Sequence, residues 1–371
     1  MIPVNKPTVP KKALPYLSEC TKTGWLSSEG PFVKKFENQF SEYIGTTYAC
    51  TTNSGTSALH LAIVSLGIKN GDEIILPAST IASCYFAIWY TGAKAIPVDV
   101  DPDIYTINPD LIEKAITSKT KAIMVVHLFG HPCDMDPIMK IAKKYHLAVI
   151  EDAAESHGAE YKGKKVGTIG DIGIFSFYAN KLITTGEGGM VVTNSSEVFK
   201  KASKLKGLNH STIRFIHDGI GYKYAMSNLQ AAVGLASLEE IEASIAFKRK
   251  MAELYTHHLC HIAGLILPTE KRWAKSVYWM YAIRIDKKKF GIERDEVMVR
   301  LQKQFDIQTR TFFYNPKTAF KKLHIYQKEQ FPVAETIEHE GLYLPSGLGN
   351  TFSEFTRVSN AVQTIYKSIQ K

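Results

Sequence analysis

One lysine in this chain stands apart by its neighbours. Lys181 lies in Phe175-Ser-Phe-Tyr-Ala-Asn-Lys181-Leu-Ile-Thr-Thr-Gly-Glu-Gly-Gly-Met190, among small, aromatic and uncharged residues and just ahead of a glycine-rich turn. An amine in such a setting loses hydration, which favours its neutral form and lets it attack an aldehyde. A carbonyl cofactor such as pyridoxal phosphate needs an amine of this kind, with backbone free to pack close to its ring. A strand, a turn and a solvent-facing lysine would have the same composition, so the segment alone leaves both readings open.

Two further segments could serve the same chemistry. Thr51-Thr-Asn-Ser-Gly-Thr-Ser-Ala-Leu-His60 joins a strand-like run to Ser57-Ala-Leu-His-Leu-Ala-Ile-Val-Ser-Leu66, which has helical composition and spacing. Strand, Ser54-Gly55-Thr56, then helix puts free backbone N–H groups and hydroxyls at a helix N-terminus, where a phosphate can sit. Ser, Gly and Thr also begin many helices that bind nothing. Leu147-Ala-Val-Ile-Glu-Asp152-Ala-Ala-Glu-Ser-His157-Gly158 reads as a buried parallel strand ending in a carboxylate. Such a carboxylate could pair with a protonated pyridine nitrogen and turn the ring into an electron sink. Metal binding or helix capping would equally account for it.

A sheet has to hold these segments. From roughly 45 to 195, strand-like runs at 48–52, 73–76, 95–99, 121–127, 147–152, 172–177 and 190–193 alternate with helical stretches at 56–66, 109–117, 134–144 and 196–206. That alternation predicts an α/β fold, a mostly parallel central sheet with helices on both faces. Such sheets place ligands beyond the C-terminal ends of their strands, where Asp152 and the Ser54 loop fall. Residues 1–30 read as an arm leading to a helix at about 11–22. A long helix over 227–260 leads out of the large domain. A strand over 278–285 and a helix over 293–304 then predict a smaller α+β domain. The expected division is 1–245 for the large cofactor-binding domain with its N-terminal arm and 246–371 for the small domain.

Composition narrows the function classes. The 371 residues are 45% hydrophobic, enough for a large core and a smaller one. No apolar run of about 18 or more occurs, and Met1-Ile-Pro-Val-Asn-Lys lacks the pattern of a signal peptide, so the expectation is a cytoplasmic protein without a membrane span. Five widely spaced cysteines argue against a disulfide framework. The net charge of +9 falls in short runs such as Lys248-Arg249-Lys250, with no nucleic-acid-binding module, and suits an anionic cofactor and a phosphorylated substrate. His127, His131, Cys133 and Asp134, and separately His257, His258, Cys260 and His261, lack the paired spacing of zinc ligands; no metal is expected. His157 and His217 lie near the chemistry-bearing motifs, where a lone histidine more often makes a structural hydrogen bond than a catalytic one.

In this order and spacing, Ser54-Gly55-Thr56, Glu151-Asp-Ala-Ala-Glu155, Ser176-Phe, Asn180-Lys181 and Thr185-Gly-Glu-Gly-Gly189 resemble the sugar aminotransferases of the DegT/DnrJ/EryC1/StrS type. Further matches are Trp25-Leu-Ser-Ser-Glu-Gly30 with Phe36-Glu37, His127-Leu-Phe-Gly-His-Pro-Cys-Asp134, Tyr224-Ala-Met-Ser-Asn228-Leu-Gln-Ala-Ala232 and Leu344-Pro-Ser346. The pattern is most similar to the GDP-perosamine synthase branch. The resemblance implies fold type I of the pyridoxal-phosphate enzymes. It implies that Lys181 forms the Schiff base with pyridoxal 5'-phosphate and later shuttles a proton, that Asp152 pairs with the pyridine nitrogen, and that Glu155 reaches the ring hydroxyl. Ser54, Gly55, Thr56 and Ser176 are implied to hold the phosphate. Asn228 is implied to reach the phosphate bound by the other subunit of a homodimer, and Trp25 and Ser27 to lie along the path of the acceptor's nucleotide diphosphate. His217 is a candidate substrate contact. The implied reaction moves an amino group from L-glutamate to a nucleotide-linked 4-keto-6-deoxyhexose.

Three positions depart from the pattern. Ala225 stands where relatives carry Arg, Ile81 where they carry an aromatic residue, and Lys317 roughly where they carry His. These bear on the pocket, and they make Arg310 and Lys317 the expected cations for an anionic substrate. A small phosphorylated ketone is therefore an alternative acceptor. A non-catalytic regulator is a further alternative, disfavoured by the intact Lys181, Asp152 and Ser54-Gly-Thr set.

Overall fold

The computed structural model describes residues 1–213 and 215–370. At its centre lies a seven-stranded sheet of β1 (Tyr48–Thr52), β2 (Glu73–Pro77), β3 (Lys94–Val98), β4 (Thr120–Val126), β5 (Ala148–Asp152), β6 (Ile172–Ser176) and β7 (Gly189–Thr193). Most of these are near-continuous apolar runs buried along their length, as strands covered on both faces require. The order is β1-β7-β6-β5-β4-β2-β3. From β6 to β3 every neighbouring pair is parallel, and β7 runs antiparallel between β6 and β1. The expected mostly parallel α/β sheet is the one that forms.

The strand ends decide where chemistry can sit. β1, β5 and β6 point the same way and finish at Thr52, Asp152 and Ser176, and Gly189 of β7 lies in register with both Thr52 and Ser176. A Cβ on Gly189 would stand 2.4 Å from the Ser54 carbonyl oxygen, so only glycine lets the Ser54 loop fold back over this edge.

The N-terminal stretch is more helical than expected. After α1 (Ala13–Thr23) comes α2 (Pro31–Ile44), whose Phe32, Phe36, Phe40 and Ile44 form a buried stripe at helical spacing. The stretch 227–260 is two helices, Asn228–Leu238 and Ile241–Leu259. The break falls where Glu239 and Glu240 turn to the arm, taking hydrogen bonds from the Tyr16 hydroxyl and the Lys11 N–H. The expected helix at 109–117 shrinks to Pro109–Ile112 and one tighter turn, because Ile116 is already extended.

A second, four-stranded antiparallel sheet orders Leu265–Ile266, Tyr281–Ile285, Gly341–Leu344 and Arg310–Thr311. The strand expected from 278 begins at Tyr281, since Tyr278 has a left-handed backbone (φ 46°). Met251, Tyr255, Tyr281, Phe290, Leu301 and Phe355 form its core. Helix Ile241–Leu259 feeds both cores, Ile245 to the first and Met251 to the second, and Phe312, Phe320 and Ile337 return to the first. The N-terminal arm crosses over too: Ile2 belongs to the second core and Val4 to the first.

Candidate active site

A cavity of about 320 Å³ opens at the strand ends, lined among others by Ser54, Gly55, Thr56, Asp152, Glu155, Ser176, Lys181, Trp279 and Arg310. They come from several separate turns of the chain. Ser54 caps the helix α3 (Gly55–Ser65), its Oγ accepting the Ser57 N–H at 3.1 Å. That cap leaves the first amides, Gly55 and Thr56, to a ligand. A Cβ at Gly55 would meet the Ser176 Oγ at 2.9 Å, so the missing side chain is what brings the helix start against that hydroxyl.

Asp152 ends β5, fully buried. Its Oδ1 accepts the Ala154 N–H at 3.0 Å, and its Oδ2 takes the thiol of Cys84, on the helix α4 (Ala82–Trp89), at 3.2 Å. Glu155, one turn further, accepts the Phe129 N–H at 2.9 Å and faces the Lys181 Nζ at 3.5 Å. Burial pulls the pKa of Lys181 down, while Glu155 and Asp152 pull it back up. Burial likewise raises both carboxyls, and Lys181 opposes it. Lys181 lies against Glu155, which leaves Asp152 without a cation of its own at hydrogen-bonding distance.

These features fit pyridoxal phosphate. A ring nitrogen that carries a proton would supply the missing positive charge at Asp152. The α3 N-terminus, with the Thr56 and Ser176 hydroxyls, is a cradle for its phosphate.

Other expected residues lie elsewhere. Asn228 is fully buried, and its side chain is spent within its own chain: Oδ1 accepts the Phe32 N–H at 2.8 Å, and Nδ2 donates to the Trp25 carbonyl at 2.6 Å and to the Cys20 sulfur at 3.2 Å. These bonds tie it to the loop before α2 within its own chain. Trp25 and Ser27 sit exposed on that loop, away from this chain's cavity. His217 is exposed on the 207–223 segment, bonded to the Leu208 carbonyl at 2.8 Å, and does not line the cavity. Lys317 does not line it either. Its Nζ is paired with Glu335 at 2.9 Å, so of the two expected cations only Arg310 faces the site.

His157 is buried against Phe175 and Phe177, and His127 is held by Glu151 at 3.0 Å and the Cys133 N–H at 3.0 Å. Sequence reasoning missed Trp279 and Cys84. Both are ordinary apolar-run residues locally, and only the long-range fold brings them to the amine and the acid.

The profile of the DegT/DnrJ/EryC1/StrS aminotransferase family matches residues 7–363. The chain belongs to this family. It is 44% identical over 346 residues to the GDP-perosamine synthase of Escherichia coli O157:H7, covering 93% of each chain. It is 37% identical over 374 residues to the GDP-perosamine synthase of Vibrio cholerae, covering 100% of each. Among solved structures, S. venezuelae DesV in complex with a ketimine intermediate superposes with a TM-score of 0.90 at 30% identity, over 98% of this chain and 99% of that one. The chain is therefore an aminotransferase. No helix among the described residues is long and apolar enough to cross a membrane.

Proposed function

We propose that this aminotransferase uses pyridoxal 5'-phosphate to move an amino group from L-glutamate to a nucleotide-linked 4-keto-6-deoxyhexose; the nucleotide-linked acceptor is in keeping with the names of its GDP-perosamine synthase relatives. The observation that carries the reading is the buried Lys181 amine facing Glu155 at 3.5 Å, in one cavity with Asp152 and the α3 N-terminus. When bound, the cofactor supplies an aldehyde that carries the amino group and a ring that withdraws electrons.

The chain's own residues do the rest. Lys181 holds the cofactor and, once released, its Nζ takes the proton from the donor's Cα. Asp152 stays ionised, which keeps a proton on the ring nitrogen. Glu155 orients the ring hydroxyl and keeps the Lys181 amine in reach. Ser54, Gly55, Thr56 and Ser176 hold the phosphate, and Arg310 attracts the anionic groups of donor and acceptor. The Lys317–Glu335 pair removes one of the three departures that favoured a small keto-phosphate, while Ile81 lines the cavity; the nucleotide sugar of the relatives is the preferred acceptor.

The reading includes a homodimer in which the exposed Trp25 and Ser27 of one chain approach the acceptor in the other. What supports it are the large apolar side chains left exposed on two segments, Trp25 and Leu26 on one and Ile213, Ile216 and Ile220 on the other. We place the enzyme in the cytoplasm and keep the division at 245/246 as its domain boundary.

The test is a single turnover of the amino form with a panel of nucleotide keto-sugars and small keto-phosphates, beside borohydride labelling of the resting enzyme. Label on the Lys181 peptide, its loss in Lys181→Ala, and turnover of a nucleotide keto-sugar are expected. Turnover of the keto-phosphates alone would overturn the acceptor.

A further inference from the structure

One contact of the Lys181 amine has no part in the chemistry above. The Lys181 Nζ lies 3.8 Å from the ring centroid of Trp279, and that indole is 3% exposed. The indole is fixed at both ends. Its N–H donates at 2.9 Å to the carbonyl of Asn180, the residue before Lys181. Its backbone carbonyl accepts at 2.7 Å from the Nζ of Lys248, on the helix Ile241–Leu259.

Lys248 is itself unusual. It is 1% exposed, and its amine donates to the carbonyls of Trp279 and Ser346. Burial pulls its pKa down to about 7, with no carboxylate to oppose it. The two carbonyls are its only hydrogen-bond partners among the described residues.

The segment between these anchors is held under constraint. Tyr278 takes a left-handed backbone (φ 46°), which a bulky residue adopts only where its surroundings over-determine it. Val277 donates to the Gly130 carbonyl at 3.0 Å, and a Cβ on Gly130 would stand 2.8 Å from the Trp279 nitrogen.

We infer that Trp279 is a positioning residue for Lys181: its indole face seats the ammonium whenever that amine is free of a covalent bond, and Lys248 holds the face in place through the Trp279 backbone. The inference rests on the reading of Lys181 as the cofactor-bearing lysine. The negative face of an indole stabilises a cation close above it, and more so out of water. Desolvation opposes protonation of the same amine. A lysine that has to accept a proton and then give it up needs those two effects nearly balanced, and the indole adds to what Glu155 and Asp152 supply.

The experiment titrates Lys181 in the cofactor-free full-length chain. The rate at which pyridoxal phosphate modifies it is followed against pH, with the product trapped by borohydride and located by peptide mapping. Trp279→Leu should lower the pKa of the amine by about one pH unit. Trp279→Phe, which keeps an aromatic face, should lower it much less. Lys248→Met should shift it in the direction of Trp279→Leu, although Lys248 bonds only to carbonyls, and should add nothing in the Trp279→Leu background.

An unchanged pKa in Trp279→Leu overturns the seat. A Lys248→Met protein that melts earlier with an unchanged Lys181 pKa overturns the link to Lys248. If Lys248→Met does not fold, the Leu and Phe variants at 279 still decide whether the face acts. Modification of a lysine other than Lys181 would instead refute the cofactor assignment, so the two failures are distinguishable.

Discussion

Asp152 illustrates how much depends on single groups. Its two oxygens are engaged by the Ala154 N–H and the Cys84 thiol, and burial raises its pKa against those two bonds and the Lys181 charge. A protonated ring nitrogen would reverse that direction, because an opposite charge favours the carboxylate. Asp152→Asn keeps the shape and loses the charge. We expect the variant to bind cofactor and to slow the glutamate half-reaction about a hundredfold, the rate equivalent of roughly 3 kcal/mol for one buried charge-assisted hydrogen bond. Stopped-flow absorbance measures it, and a near-normal rate would assign the role to another group. The acid was legible in the sequence because a strand ending in Glu-Asp is a local pattern. Cys84 was not, since its contact with Asp152 spans 68 positions.

At the scale of elements, the phosphate cradle depends on how closely backbones approach. A Cβ on Gly189 would stand 2.4 Å from the Ser54 carbonyl and 2.7 Å from the Thr52 hydroxyl, with backbone on one side that cannot yield. Gly186 has a positive φ of 78° but open space around its Cα. Gly189→Ala should therefore cost about 1–3 kcal/mol of stability through overpacking and weaken cofactor binding at least tenfold. Gly186→Ala should cost about 1 kcal/mol through backbone strain, with cofactor affinity nearly intact. Thermal melts and cofactor titrations separate the two, and equal loss of affinity would show that the turn is also part of the cradle. Both glycines sit in one readable run, yet nothing local distinguishes them. The strands were legible because buried parallel strands are apolar throughout. The helix Phe352–Ile369 went unread, although its buried Phe355, Val358, Val362 and Ile365 keep helical spacing. The break at Glu239–Glu240 was hidden because helical periodicity continues across it, while the arm that turns the chain lies more than 200 positions away.

For the whole molecule, two buried imidazoles set an acid limit. Burial lowers the pKa of His131 to about 4 and, with help from the Lys181 charge, that of His157 to about 3. An unfolded chain binds these protons near pH 6.5, so between about pH 3–4 and 6.5 the unfolded state holds more protons than the folded one. Stability contributed by each group is complete above 6.5 and is lost as pH falls, by up to about 1.4 kcal/mol per pH unit for each imidazole. The thermal midpoint should fall steeply below pH 6.5, and His157→Phe, set against Phe175 and Phe177, should flatten that slope. A slope unaffected by the substitution would mean that His157 titrates normally.

The N-terminal arm carries one more consequence, for the order of events during synthesis. The Val4 carbonyl accepts from the Ser346 N–H, the Lys6 carbonyl from the Gly349 N–H, and Ile2 bridges to Ile307. Residues 2–6 thus bond to residues made far later in the same chain, and the Val4 and Lys6 carbonyls lack these partners until residues 346–349 have emerged. The same late segment supplies the Ser346 carbonyl that Lys248 grips. A nascent chain stalled before about residue 340 would hold its lysine, acids and phosphate loop but not the clamp behind the amine. Completion of the clamp behind the amine in this sense waits for residue 346, and slow elongation exposes the arm to chaperones and proteases before it can dock.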